Sequence, residues 1–294
     1  MKPSAVSYSR PGSVDEALAL LTEHGSGAKV LAGGQSLVPL LSMRLAAPER
    51  LVDINSLAEL GYVRVAADGV RVGALARHAA VLADRPAAER QPLLAAALRW
   101  VAHPAIRNRG TSVGSIVHAD PAAELPAVLS VLGGTVTAAS TAGRRTVPAL
   151  ELFAGPLETT LRPDELAVEA FFPALPAQTG VAFAEVARRH GDYALCGVAA
   201  LVRLDDDLRI VQARVGYLSV AGTPRVLELT GPIAGRSYDA ELAEAGRLAA
   251  TELDPEPDIH ATAEYRRQLA QVLTARTLQS AARSAAGVAA GVPA

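Results

Sequence analysis

Two glycine-bearing segments and one lone thiol carry most of the chemical information in this 294-residue chain. In Lys29-Val30-Leu31-Ala32-Gly33-Gly34-Gln35-Ser36-Leu37, a short apolar run breaks into two glycines and two small polar residues. Glycines at a strand end let the backbone approach a ligand and adopt φ > 0. Successive N–H groups of such a turn make a concave nest for an anion such as a diphosphate. No Gly-Lys-Ser/Thr follows, and the spacing is not G-x-G-x-x-G, so neither common nucleotide loop is present. Alone, the segment fits a tight structural turn as well as a phosphate cradle. The second segment is a polar, glycine-containing loop, Arg107 to Ser115, leading into His118-Ala119-Asp120-Pro121. The thiol is Cys196, the only cysteine. One thiol cannot hold an iron–sulfur cluster, a structural zinc or an intrachain disulfide, so any metal redox centre served by the protein belongs to another chain.

The elements that must position these residues follow from local pattern. Ser13 is an N-cap candidate with Glu16 three residues on, and Val14, Leu18 and Leu21 give the helix an apolar face that ends at Gly25. A strand at Val30–Ala32, the glycine turn, a helix within Leu37–Leu45 after Pro39, and a strand at Leu51–Ile54 form a βαβ-like unit. Tyr62–Val65 and Val70–Gly73 read as a hairpin across Ala66-Ala67-Asp68-Gly69. Helices through Trp100, the polar loop, and strands at Gly134–Ala139 and Arg144–Val147 complete an α+β layer. The uncharged run Leu125–Gly143 contains Pro126 and Gly133-Gly134, so it reads as a buried helix followed by a strand, not a membrane span.

A Pro/Ala-rich stretch from Phe172 to Gly180 reads as a linker. Strand patterns follow at Ala194–Arg203, Leu208–Tyr217 and Leu218–Val220. Asp205-Asp206-Asp207 is a solvated turn, not a metal site. Helices are expected near Asp239–Glu252 and Ala261–Arg283, the latter with Tyr265, Leu269, Val272 and Leu273 on its apolar face. The expected division is residues 1–56, 57–176 and 177–286, with a frayed tail at 287–294. Half the chain is apolar and the net charge is −2, which gives no sign of nucleic-acid binding. No apolar leader opens the sequence, so a cytoplasmic location is expected. Lysines occur only at positions 2 and 29 in an otherwise Arg-based chain, which marks Lys29.

Three segments in fixed order give the chain a family resemblance. They are Ala32-Gly33-Gly34-Gln35-Ser36-Leu37 with Leu51-Val52-Asp53-Ile54; Ile106 to Ser115 with His118-Ala119-Asp120-Pro121 and Glu124-Leu125-Pro126; and Arg188-Arg189-His190-Gly191-Asp192-Tyr193-Ala194. Together they resemble the FAD-binding medium subunit of the molybdenum hydroxylases, which include xanthine dehydrogenase and aerobic CO dehydrogenase. The resemblance implies an α+β fold: a two-part, PCMH-type FAD-binding region, then a C-terminal domain like that of the CO dehydrogenase flavoprotein. It implies FAD with its diphosphate on the backbone of Ala32–Ser36, flanked by Lys29, Leu31 and Leu37. Thr111, Gly114 and Ser115 would approach from the second part. His118, Ala119, Asp120 and Glu124 would lie near the ribityl and adenosine portions. Leu166–Ala167 would meet the isoalloxazine edge, and Asp192-Tyr193 its face.

The chain departs from the family pattern in two places. Val113 stands where a second glycine is usual, and Gln35 where many relatives have His. The implied role is electron transfer, with no acid–base catalytic residue and no metal on this chain. The implied partners are a molybdenum-cofactor large subunit and a [2Fe-2S] small subunit, as a dimer of heterotrimers, with quinone or NAD as acceptor. Such a complex would be cytoplasmic or peripheral to the inner membrane. Two alternatives stand beside it: a free-standing flavin oxidase, disfavoured by the lack of a His at Gln35, and an interaction protein without FAD, favoured only by Val113.

Overall fold

The structure is a computed structural model that describes residues 2–288; from position 289 the expected tail lies outside the described residues. The first unit contains β1 (Ser7–Ser9), α1 (Val14–His24), β2 (Ala28–Leu31), α2 (Leu37–Ser42) and β3 (Arg50–Asp53). β3 lies between β1 and β2 in a three-stranded parallel sheet. Helix α1 starts where its capping chemistry dictates. Ser13 Oγ accepts from the Glu16 N–H at 3.1 Å, and the Glu16 carboxylate returns to the Gly12 N–H at 2.7 Å. Gly25, at φ +49, ends it. Helix α2 is shorter than expected and begins before Pro39. The proline sits in the first turn, where its missing N–H costs no helical bond.

The second unit is built on a five-stranded antiparallel sheet, β4 (Val63–Ala66), β5 (Gly69–Gly73), β10 (Leu166–Pro173), β6 (Thr135–Ser140) and β7 (Gly143–Pro148), in that spatial order. Helices α3 (His78–Ala83), α4 (Arg85–Arg90), α5 (Pro92–Leu98), α6 (Pro104–Arg107), α7 (Ser112–His118) and α8 (Glu124–Leu132) lie between β5 and β6 in the chain. Helix α9 (Ala149–Leu152) and the small hairpin β8 (Phe153–Gly155) and β9 (Glu158–Thr159) precede β10. Phe172 is fully buried in β10, so the linker is shorter than its composition suggests. One continuous apolar core joins the first two units, running from Ala17 and Val52 to Leu129, Val136 and Phe172.

The third unit has its own core. Strands β11 (Thr179–Ala187), β12 (Ala194–Leu204), β13 (Ile210–Leu218) and β14 (Arg225–Glu228) form an antiparallel sheet, backed by α10 (Ala243–Glu252) and α11 (Ala263–Ala285). β13 stops at Leu218, because Ser219 turns to φ +62. The apolar face expected on α11 is half right. Leu273 is buried and Leu269 packs against the core, but Tyr265 and Val272 are exposed, and Arg266, Ala270, Thr274, Thr277 and Leu278 are buried in addition. Close approach explains the difference. A Cβ at Gly180 would lie 2.1 Å from the Ala281 carbonyl oxygen, so only small residues fit along that seam. The Arg266 guanidinium donates to the carbonyls of Leu195 and Ser219 and to Asp258, which pins α11 to the strand ends. On the opposite face of the sheet α8 packs against β13. There Gly216 lets the Ala127 carbonyl approach to 2.8 Å of where a Cβ would sit.

Candidate functional site

The candidate site lies where the β2–α2 turn of the first unit meets the α6–α7 loop of the second. Each glycine of the turn is needed for a different reason. Gly34 adopts φ +72. Gly33 has no positive φ, but a Cβ there would lie 2.5 Å from the Arg109 carbonyl oxygen and 2.8 Å from Gly110 Cα. The two loops therefore meet backbone to backbone. Among the described residues, no group accepts from the N–H of Gly33, Gly34, Gln35 or Ser36. Four consecutive amides without an acceptor are free to bind an anion, and this observation fits a diphosphate. Gln35 folds back, donating through Nε2 to the Gly33 carbonyl at 3.2 Å.

The second wall is the start of α7. Thr111 is its N-cap, and Oγ1 accepts from the Gly114 N–H at 3.2 Å. Val113 is helical and 1 % exposed, packed into the shared core. The backbone at this position needs no glycine, so the departure from the family pattern is a packing choice. Ser115 is half-buried, with its N–H bonded to the Thr111 carbonyl. Gly110 rests on His78, whose imidazole is hydrogen-bonded to Ser112 and pushed down to about 4, first by burial and then by Arg107. Arg107 donates to the carbonyls of Val101 and Ala102, so it braces its own loop.

At the far end of α7 the chain makes a tight turn. Ala119 is left-handed at φ +55, its carbonyl accepts from Leu157 N–H, and the Pro121 carbonyl accepts from Ser219 N–H in the third unit. Asp120 Oδ1 accepts from the Ala122 N–H at 2.8 Å, so one of its oxygens stabilises the turn. The His118 imidazole is lowered by burial; Asp120 opposes that shift and Lys29 adds to it, which brings Lys29, His118 and Asp120 into one neighbourhood. Glu124, first residue of α8, is pushed up to about 7 by burial, with Asp120 adding to the rise. Glu185 on β11 is buried, its Oε2 has no partner, and it is pushed up to about 8 by burial and then by Glu124. Sequence reasoning missed this carboxyl together with the strand that carries it, β11.

Tyr193 is not a core aromatic. It is 71 % exposed, although burial on its inner side and then Asp120 and Glu124 raise its phenol above the ordinary range. Asp192 pairs loosely with Arg188 and Arg189, at 3.8 and 3.7 Å. Leu166 and Ala167 are buried on β10, paired with β6 but lying beyond the end of the β5 ladder, which begins at Glu169. Leu31 packs against the turn at Gly34. Sequence reasoning also missed Asn55 and Arg77, which bond the two walls together and have no local motif.

A two-part α+β region with free backbone amides where its parts meet, followed by a separate α+β domain, is suited to holding a nucleotide cofactor by its diphosphate. Residues 4–175 match the FAD binding domain in molybdopterin dehydrogenase, and residues 181–281 match the CO dehydrogenase flavoprotein C-terminal domain. The chain is 42 % identical over 283 residues to the 6-hydroxypseudooxynicotine dehydrogenase complex subunit alpha of Paenarthrobacter nicotinovorans, covering 96 % of each chain. It is 40 % identical to the nicotine 6-hydroxylase medium subunit of the same organism, covering 96 % of this chain and 99 % of the relative. Quinoline 2-oxidoreductase from Pseudomonas putida 86 matches with a TM-score of 0.90 at 37 % identity, covering 97 % of this chain and 99 % of that one.

The chain belongs to the family of FAD-binding medium subunits of the molybdenum hydroxylases. It is an oxidoreductase subunit whose cofactor is FAD. Among the described residues no helix is long and apolar enough to cross a membrane.

Proposed function

We propose that this chain is the electron-transfer subunit of a heterotrimeric molybdenum hydroxylase. It would accept electrons from [2Fe-2S] clusters on a small subunit, after substrate oxidation at a molybdenum centre on a large subunit, and pass them to quinone or NAD. Bound FAD supplies the ability to exchange electrons singly or in pairs. The chain's own residues bind and orient it. The amides of Gly33–Ser36 hold the diphosphate, with Lys29, Leu31, Ala32 and Leu37 shaping that wall. Thr111, Gly114 and Ser115 close the other wall, and His118, Ala119, Asp120 and Glu124 line the ribityl and adenosine side. The exposed ring of Tyr193, beside Asp192, is free to cover one isoalloxazine face, and the open edge of Leu166–Ala167 suits the ring's rim. No proton transfer by a side chain is required, so no catalytic residue is assigned.

The division into 1–56, 57–176 and 177–286 follows from this use: two parts clasp the cofactor and the third docks behind α8. The lone Cys196, buried and pushed up to about 12 by burial, supports the assignment of all metal chemistry to partners. Substrate choice then rests with the large subunit, and relatives named for nicotine and quinoline make N-heterocycles the first compounds to try. The complex would work in the cytoplasm, or against the inner membrane where quinone is the acceptor, as a dimer of heterotrimers.

The observation that carries the reading is the run of unpaired amides closed against Arg109–Gly110. Acid precipitation of the co-expressed complex tests it. FAD released into the supernatant is the expected result. Flavin retained in the pellet would mean covalent attachment and oxidase chemistry, and its absence from both fractions would overturn the assignment.

A further inference from the structure

Behind the glycine turn runs a chain of polar contacts that touches both walls of the cleft. Arg77, just before α3, donates through Nη1 to the Arg109 carbonyl at 2.6 Å and through Nη2 to Asn55 Oδ1 at 2.7 Å. Asn55 follows β3 and donates through Nδ2 to the Ala32 carbonyl at 2.8 Å and to Asp53 Oδ1 at 2.6 Å. Asp53 Oδ1 also accepts the Asn55 N–H at 2.9 Å, and its other oxygen accepts from the Tyr8 hydroxyl. Asn55 and Arg77 are both half-buried. The bond pattern fixes the Asn55 amide, since its oxygen faces a guanidinium and its nitrogen a carbonyl.

The ends of this chain lie where the two walls meet. The Arg109 carbonyl held by Arg77 is the group against which Gly33 packs. The Ala32 carbonyl held by Asn55 shares a peptide unit with the Gly33 N–H. In a trans, planar peptide the carbonyl and N–H point opposite ways. Pulling the Ala32 oxygen toward Asn55 therefore turns the Gly33 N–H away from Asn55 and into the open side of the turn. A two-residue Asn–Arg bridge thus sets both the direction of the first cradle amide and the separation of the walls.

We propose that Asn55 and Arg77 are positioning residues for the diphosphate nest, acting through the Ala32–Gly33 peptide and the Arg109 carbonyl without touching the ligand themselves. The inference rests on the FAD reading above. It assigns a cost to each partner that falls on the diphosphate and not on the flavin ring.

The test is titration of the full chain, freed of flavin, with FAD, ADP and riboflavin, following fluorescence or heat. ADP carries the diphosphate without the ring, and riboflavin the ring without the diphosphate. Asn55→Asp keeps an acceptor for Arg77 but replaces the donor to Ala32 and Asp53 with a carboxylate oxygen, so it keeps the link to Arg77 while releasing the peptide and pushing Asp53 away. It is expected to weaken ADP and FAD about tenfold, the scale of one lost hydrogen bond, with riboflavin unchanged. Arg77→Ala should do the same, and Asn55→Ala with Arg77→Ala should cost little more than the worse single change, because the two act as one unit. Arg77→Lys, with a single ammonium group, should restore only part of the affinity. Equal weakening of ADP and riboflavin would mark a merely structural role and overturn the proposal, as would unchanged ADP affinity in Asn55→Asp. A parent chain that binds neither FAD nor ADP would remove the FAD reading and this inference with it.

Discussion

Both walls of the cleft are marked by glycine, but they use it differently. On the first wall Gly33 has no room for a side chain, Gly34 needs φ +72, and four amides in a row have no acceptor among the described residues. On the second wall Gly114 lies in the first turn of a helix, with its N–H already bonded to Thr111 Oγ1, while Val113 beside it fills the core. The first wall presents backbone; the second consumes most of its own. Glycine signals close backbone approach, and Gly180 and Gly216 in the third unit show that such approach also serves plain packing. What separates a cradle from a packing contact is the hydrogen-bond account of the amides around it.

The largest effect should follow from breaking the first wall. In Gly33→Val the new side chain meets the Arg109 carbonyl and Gly110 Cα, which are backbone and cannot swing aside. Bound FAD should be lost from the purified protein, while amides of β11–β13, whose core is separate, keep their protection in hydrogen exchange. Full FAD occupancy in this variant would sink the diphosphate assignment.

Val113→Gly restores the glycine usual in the family and should sharpen the contrast. Because Val113 is buried in the shared core, its removal should cost about 2–4 kcal/mol of stability by denaturant melt, from the cavity and the poorer helix former together. FAD affinity should change by less than about threefold, well under 1 kcal/mol. A tenfold gain in affinity would mean that the second wall also lacks backbone it needs, and the comparison would fail.

The two walls should also differ in pH response. Glu124 and Glu185, behind the second wall, are raised from 4.5 to about 7 and about 8 by burial. Between the unfolded value and these folded values the native chain holds protons that the unfolded chain has released. These two carboxyls contribute stability that is lost as pH rises from about 4.5 to about 8, while His78, held near 4, gains stability up to about 6.5, so the net decline is expected between about 6.5 and 8. Thermal melts across that range should show the decline, and Glu185→Gln should flatten its upper part. A profile that rises between about 6.5 and 8 would mean the carboxyls are ionised in the fold.

Much of this architecture is legible from local pattern, and the failures share a physical cause. The Ser13 cap, the Gly25 stop, the Asp68-Gly69 hairpin and the glycine turn each depend on residues close together in the chain. β1 was invisible because Ser7–Ser9 is short and mostly exposed, and gains its identity only by pairing with Arg50–Val52. The face of α11 was half legible: Leu269 and Leu273 meet the core as their spacing implies, but Tyr265 and Val272 stay outside and small residues such as Ala270 and Thr274 are buried instead. Arg77 and Asn55 are two ordinary polar residues far apart in sequence, and only the fold brings them to opposite carbonyls of one cleft.

The smallest effect, and the finest cut through the comparison, is at Thr111. The resemblance to the family casts its hydroxyl as a ligand donor, whereas in the fold Oγ1 caps α7. A hydroxyl can accept and donate at once, so the two roles are compatible but separable. Thr111→Ala removes both and Thr111→Ser keeps both. If capping dominates, Thr111→Ala should lower stability by about 1 kcal/mol and FAD affinity by only a few-fold, with Thr111→Ser near the parent in both. If instead affinity falls tenfold while the melt is unmoved, the hydroxyl is engaged chiefly by the cofactor. The second wall would then contribute a side chain where the first contributes backbone, and the contrast between them would become one of chemistry and not only of hydrogen-bond supply.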